Sequence, residues 1–324
     1  MTVSRVLNHP QLVASTTRQR VQAAIRELDY VADEMVRPLG KSRRSFISIL
    51  ALNLTTTPYS VDITFAIEQV AREHGWRIYI VNTFSDNPPA DVLESLLALR
   101  PEGVILATMG HRTVHVPERL IRAGVVLANC QTSQRSIACY VPDDEQGQYD
   151  GVRRLLEKGY RRPLCIHLPE GATATPLRRK GLQRAFQEFN IPEKDQSHVV
   201  LVPKPDQLQP VQSLNEADFL QTVSFLNDGL GKRPRPDCVI CGNDRVALVA
   251  YQYLLSRGFR IPNDIGILGF DDMVGVAGLF LPPLSTIRLP HDEIGRQAAL
   301  HIMLGRKEPG IHQIRCPFVG RASF

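Results

Sequence analysis

The sequence predicts an α/β protein made of two doubly wound parallel-sheet lobes behind a short all-α segment. Three observations support this. The 324-residue chain is 43% hydrophobic and 22% charged, fractions that exclude wholesale disorder and leave room for two or three domains. From Phe46 onward, apolar runs of strand length alternate with amphipathic stretches, and continuous apolar strands separated by helices indicate sheets covered on both faces. Before Phe46 the texture is different: short helical patterns, then a polar, basic stretch.

Val3, Val6 and Leu7 follow helical spacing, with Asn8 and Pro10 as a stop. Ser15 or Thr16 is placed to cap a second helix whose apolar stripe is Val21, Ala24, Ile25 and Leu28. Residues 33–45 (DEMVRPLGKSRRS), with Pro38 and Gly40, read as a hinge or linker. Strands are expected at 46–52, 77–82, 103–108 and 125–129, with helices near 61–74, 90–99 and 117–123 between them. The rhythm then repeats, with strands at 164–168, 199–202, 238–242 and 265–270 and helices near 145–158, 177–189, 216–228 and 244–257. The resulting division is 1–32, 33–45, a first lobe of 46–143 plus 288–306, and a second lobe of 144–287 plus 307–324. In such folds ligands bind at the carboxyl ends of strands, and a cleft between lobes is the natural pocket.

The net charge is +5, and residues 1–45 hold eight basic side chains against four acidic ones. Four of the five net charges therefore lie at one end, which points to a polyanion partner for that end or to a solvated basic tail. The six cysteines are widely spaced, as suits buried thiols better than a disulfide framework. Cys238 and Cys241 look like a redox or zinc pair, but in an apolar strand residues three apart face opposite sides. No run of about 18 apolar residues exists to cross a membrane. The N-terminus lacks a secretory pattern, so the cytoplasm is expected.

Enzyme signatures are missing. No G-x-G-x-x-G follows a strand, Gly229-Leu230-Gly231-Lys232 is not a phosphate loop, and neither G-x-S-x-G nor H-E-x-x-H occurs. His111 and His115 are four apart, yet surface histidines are the better reading there, and Trp76 reads as core. Neither an enzyme nor a cofactor is expected. Polar residues do gather where strands should end: Asn129 after VVLA, Asn243 and Asp244 after CVICG, and Asp271 and Asp272 after IGILGF. Arg178 stands near a helix start. Vicinal hydroxyls can donate to Asp and Asn oxygens while accepting from a guanidinium fork. Helix capping is the alternative for Asn243, Asp244 and Asp272.

These residues stand in a sequence that resembles the LacI/GalR family of bacterial transcriptional regulators. The shared stretches are Thr2-Val3-Ser4-Arg5-Val6-Leu7-Asn8, Thr17-Arg18 through Tyr30, Val141-Pro142-Asp143-Asp144, Gly159-Tyr160-Arg161-Arg162, Arg178 to Leu182, and Cys241 to Asp244. The most specific is Ile261-Pro262-Asn263-Asp264-Ile265-Gly266-Ile267-Leu268-Gly269-Phe270-Asp271-Asp272. The resemblance implies a partial helix-turn-helix domain, a hinge helix and a core of periplasmic-binding-protein type I, working as a dimer or tetramer. It implies DNA contacts by Thr2, Ser4, Arg5, Asn8, Thr16 and Arg18. Arg5 would face guanine in the major groove, Ser4, Thr16 and Arg18 would contact the backbone, and Leu39 would wedge into the minor groove. It also implies a sugar effector held by Arg178, Asn243 and Asp271, with Tyr59 and Asn129 lining the cleft.

Within that family, the stretch from Val274 to Asp292 is similar to sucrose-operon repressors, implying sucrose or a fructose-containing sugar. The expected function is a sugar-responsive repressor of a carbohydrate-utilisation operon that binds operator DNA. The competing reading is an exported sugar-binding protein of a transporter. Three departures from the family pattern stand out. The sequence starts within the recognition helix, from which weak operator binding is expected. Pro38 falls in the presumed hinge helix, where it removes a donor. Asp144 replaces the family's common asparagine, and Val36 its usual hinge alanine.

Overall fold

The computed structural model describes residues 2–8, 10–28, 45–52, 61–85, 87–202 and 216–324; the side chains of Ser4, Leu7, Asn8 and 216–218 lie outside the description. The chain forms two compact units, Met1–Arg44 and Ser45–Phe324. The hinge stretch 33–44, with Val36, Pro38 and Leu39, and also Tyr59, falls outside the described residues.

In the first unit, helix α1 spans Thr2–Asn8, a short 3-10 turn spans Pro10–Leu12, and α2 spans Ser15–Glu27. The expected Ser15 or Thr16 cap is not formed. Ala14 occupies the N-cap position and no side chain bonds to the first turn, because the chain enters the helix one residue earlier than the polar pair. Val6 is buried, while Val21 and Ile25 of the α2 stripe are half-buried and Ala24 and Leu28 are exposed.

In the second unit the order is β1 (Phe46–Leu52), α3 (Val61–Glu73), β2 (Arg77–Thr83), α4 (Ala90–Ala98), β3 (Gly103–Thr113), α5 (Glu118–Arg122), β4 (Val125–Gln131) and β5 (Ala138–Asp143). It continues with α6 (Asp144–Glu157), β6 (Pro163–His167), α7 (Ala174–Glu188), β7 (Ser197–Val200), α8 (Glu216–Gly231), β8 (Cys238–Cys241), α9 (Asp244–Ser256) and β9 (Gly266–Leu268). The last elements are β10 (Thr286–Ile287), α10 (His291–Met303), β11 (Gly310–Arg315) and β12 (Phe318–Val319).

Two parallel sheets result, in the orders β11-β5-β4-β3-β1-β2 and β7-β6-β8-β9. The non-sequential orders require crossovers, which the intervening helices supply. The division by sequence puts 307–324 wholly in the second lobe, but β11 pairs in register with β5, from Gly310 on Ala138 to Arg315 on Asp143. That strand belongs to the first sheet. Its own pattern, alternately half-buried and exposed, is that of an edge strand and gives no continuous apolar run to notice.

Alternation along β1 feeds two cores. Ile47, Ile49 and Ala51 pack with Ile63 and Ile67 of α3 and with Ile294 and Ala298 of α10, while Leu50 and Leu52 face Leu93 and Leu96 of α4. The second sheet behaves likewise. Leu164, Ile166, Val239 and Cys241 pack against α8 and α9, whereas Cys165, Cys238 and Ile240 pack against α6 and α7. Cys238 and Cys241 thus lie on opposite faces, as strand geometry requires. All six thiols are free and buried.

Candidate ligand site at the strand ends

The site is built where β8 and β9 end and where α6 and α7 begin. Asp143 caps α6, its Oδ1 accepting the Gln146 N–H at 3.1 Å. The next residue, Asp144, is completely buried and turned toward α7. Its Oδ1 accepts the Arg178 Nε–H at 2.7 Å, and its Oδ2 lies 2.8 Å from His111 Nδ1. Arg178 also donates through Nη1 to the Gly242 carbonyl at 2.7 Å. Its guanidinium lies over the Phe270 ring, 3.4 Å from the centroid, and Nη2 stands 3.9 Å from Asp271 Oδ1. A guanidinium fixed by two charge-assisted or carbonyl bonds and an aromatic face is a preorganised donor.

Asp271 presents its carboxylate from an unusual backbone. Its φ is 124° and that of Asp272 is 52°, left-handed values that non-glycine residues adopt only when the surroundings impose them. Here the constraints are visible. Asp271 N–H donates to the Ile287 carbonyl at 2.8 Å, Asp272 pairs with Arg321 at 2.6 Å, and Met273 N–H donates to Asp244 Oδ2 at 2.8 Å. Asp244, fully buried, also accepts from Thr286 Oγ1 at 2.7 Å. It is the post around which the 271–273 loop is wrapped.

The electrostatics separate these carboxylates. Burial alone would raise the Asp144 carboxyl, but the Arg178 charge and the His111 hydrogen bond outweigh it and hold the group below the ordinary range. Asp271 is pushed upward, chiefly by burial and then by the Asp244 and Asp144 charges, with Arg178 opposing. Asp244 is raised too, by burial first, against its two hydrogen bonds. Asp144 is thus the permanent anion that anchors Arg178, and Asp271 is the carboxyl most easily altered by what binds beside it.

Arg178, Asp271 and the Gly242–Asn243 turn are therefore brought together. Asn243 caps α9, its Oδ1 accepting the Val246 N–H at 2.9 Å, which realises the capping alternative for that oxygen. Asn129, at the end of β4 with φ 60°, is fully buried in the first lobe. Its Nδ2 donates to the Thr108 and Met109 carbonyls at 3.1 and 2.8 Å, and its Oδ1 has no hydrogen-bond partner among the described residues. Those two carbonyls belong to a bulge in β3, where the register with β4 shifts between Ala107 and Arg112.

Two residues of the site were not foreseen. His111, expected on the surface, is buried with 3% of its side chain exposed and bonded to Asp144, because the bulge turns it inward. Asp144 stood out in sequence only as a departure from a family pattern, and its spacing gave no sign of Arg178, 34 residues on. Among the described residues no group of three or more His, Cys, Asp or Glu is arranged to hold a metal. In the first unit Thr2, Arg5 and Thr16 are exposed and Arg18 is half-exposed.

The core is thus two parallel sheets with a guanidinium-carboxylate cluster at the strand ends of the second, the place where open α/β folds bind ligands. Comparison with known proteins narrows this. Residues 47–322 match the family of periplasmic binding proteins and sugar binding domain of LacI family, and residues 1–33 match bacterial regulatory proteins of the lacI family. The chain is 45% identical to the sucrose operon repressors of Escherichia coli and Shigella flexneri over all of its own length and 95% of theirs. A putative LacI-family transcriptional regulator from Rhizobium etli superposes with a TM-score of 0.75 at 31% identity, covering 87% of this chain and 99% of that one. The Lac repressor bound to ONPG shares the fold at 22% identity, with a TM-score of 0.75 over 100% of this chain and 95% of that one. The chain belongs to the LacI family of bacterial transcriptional regulators.

Proposed function

We propose that the protein is a sugar-responsive repressor of a carbohydrate-utilisation operon. A homodimer would place two N-terminal modules on the half-sites of a near-palindromic operator. The saccharide would bind at the Arg178–Asp271 cluster and weaken operator binding by favouring one arrangement of the core. The division of the core into two lobes flanking this cluster is part of the same proposal. The observation that carries it is the fixed Arg178 fork facing Asp271, a donor beside an acceptor with geometry suited to vicinal hydroxyls. The 45% identity to sucrose operon repressors supports sucrose, or a sugar containing fructose, as effector. Asn243 and Asn129 are proposed as further contacts, with Tyr59 on the same cleft. Thr2, Ser4, Arg5, Asn8, Thr16, Arg18 and Leu39 are proposed to contact DNA.

A thermal-shift screen of sucrose, D-fructose, D-glucose and ribose tests this reading. A saturable rise in melting temperature with sucrose or fructose, lost in Asp271→Asn, is expected. A flat response to every sugar would refute a saccharide effector.

A further inference from the structure

We propose that His111 is a positioning residue for the ligand site: its bond to Asp144 ties β3 of the first sheet to α6 of the second lobe and thereby fixes the Arg178 fork. This rests on the reading of the Arg178–Asp271 cluster as the ligand site and adds a link to it from the other sheet.

The link has three parts. First, the β3 bulge is pinned. Thr108 Oγ1 lies within hydrogen-bond distance of both the Gly110 and Asn129 carbonyls, at 2.9 Å each, while the Asn129 amide holds Thr108 and Met109 from the other side. A bulge re-aims the residue that follows it, and here the re-aimed side chain is His111. Second, Asp144 divides its oxygens between the two lobes, with Oδ1 on Arg178 and Oδ2 on His111. An ionised carboxylate only accepts, so His111 is the donor, through Nδ1–H. Third, the chain is dry. The exposed fractions of the His111, Asp144 and Arg178 side chains are 3%, 0% and 9%, so water does not replace a lost partner cheaply.

The consequence is mechanical. Moving β3 relative to α6 stretches the His111–Asp144 bond and leaves the Asp144 carboxylate held by Arg178. The carboxylate then re-orients, and the Nε–H it holds turns with it. A ligand that engages Arg178 and Asp271 in the described orientation therefore favours the arrangement in which His111 and Asp144 are joined, and the preference runs equally in the other direction. His111 need not touch ligand to act in this way.

Two measurements on the full chain test the inference. Isothermal titration calorimetry with sucrose and D-fructose compares the wild type with His111→Ala, His111→Gln, Asp144→Asn and His115→Ala. His115 is exposed and serves as the control. His111→Ala is expected to weaken binding roughly tenfold, the scale of one buried hydrogen bond to a charged group. Gln, whose amide can donate to Asp144, is expected to restore most of it, and His115→Ala to change nothing. Amide hydrogen exchange without any sugar gives the second measurement. His111→Ala is expected to speed exchange at Thr108–His111 and also across the sequence gap at Arg178–Leu182, with Gln reversing both.

Faster exchange confined to the β3 bulge would overturn the inference whatever the calorimetry shows. So would sugar binding that is unchanged in His111→Ala. If the wild type binds neither sugar, the effector reading fails, while the exchange pattern still decides whether His111 holds Arg178.

Discussion

Arg178 holds its position through four neighbours: Asp144 at Nε, the Gly242 carbonyl at Nη1, the Phe270 ring beneath, and Asp271 beyond Nη2. Removing one member of a buried ion pair leaves the other charge poorly compensated, a loss of about 3–5 kcal/mol. Arg178→Ala is therefore expected to lower the unfolding free energy from urea titration by that amount and to abolish the sugar-induced thermal shift. Asp271, with 19% of its side chain exposed, has less structural work, and Asp271→Asn should remove the shift while changing the unfolding free energy by no more than about 1 kcal/mol. His167 offers a pH test. Burial, then the His198 and Arg179 charges, pulls it down to about 4 from the ordinary 6.5. The unfolded chain therefore takes up this proton first, so stability is complete above about pH 6.5 and declines as pH falls toward 4. By pH 5 the loss from this group reaches about 2 kcal/mol, and His167→Gln should recover it in urea titrations at pH 7.5 and 5. Equal acid sensitivity of the two proteins would exclude the group.

At the scale of elements, the position of α7 depends on a glycine. A Cβ on Gly181 would stand 2.0 Å from the Glu145 carbonyl oxygen and 3.0 Å from the Tyr149 nitrogen, so α6 and α7 approach backbone to backbone there. Gly181→Ala is expected to destabilise by about 1–3 kcal/mol in urea unfolding. It should also weaken ligand binding, because Asp144 and Arg178 ride on those two helices. Elements of this kind were legible in the sequence wherever apolar content and period were strong: the buried strands β1, β3, β4, β6 and β8 and the helices between them. What escaped was weakly patterned or non-local. The β11 edge strand has no apolar run, β10 and β12 have two residues each, and the β3 bulge depends on the Asn129 amide, some 20 residues away. Of the candidate site, Arg178 and Asp271 could be picked out because they follow a loop and a strand end. His111 and Asp144 could not, since their partnership is a product of the fold rather than of spacing.

At the scale of the molecule, the repressor reading assigns separate tasks to the basic first 45 residues and to the core, and makes separable predictions for each. In operator-binding titrations Arg5→Ala should cost about 1–3 kcal/mol at one base position and relax specificity there. Arg18→Ala should weaken all sequences alike and reduce the salt slope by about one. Identical effects of the two substitutions would contradict the division into base reader and backbone contact. The buried thiols carry a practical consequence. Cys130 and Cys139 lie in the first sheet, Cys165, Cys238 and Cys241 in the second, and Cys316 packs with the second lobe. Burial raises every one of them, Cys130 to about 12, so none is a ready nucleophile while folded. The protein thus contains its own set of silent reporters. A pulse of alkylating reagent followed by peptide mapping reads how often each half of the core comes apart, two sulfurs recording one half and four the other, with no probe added to the chain.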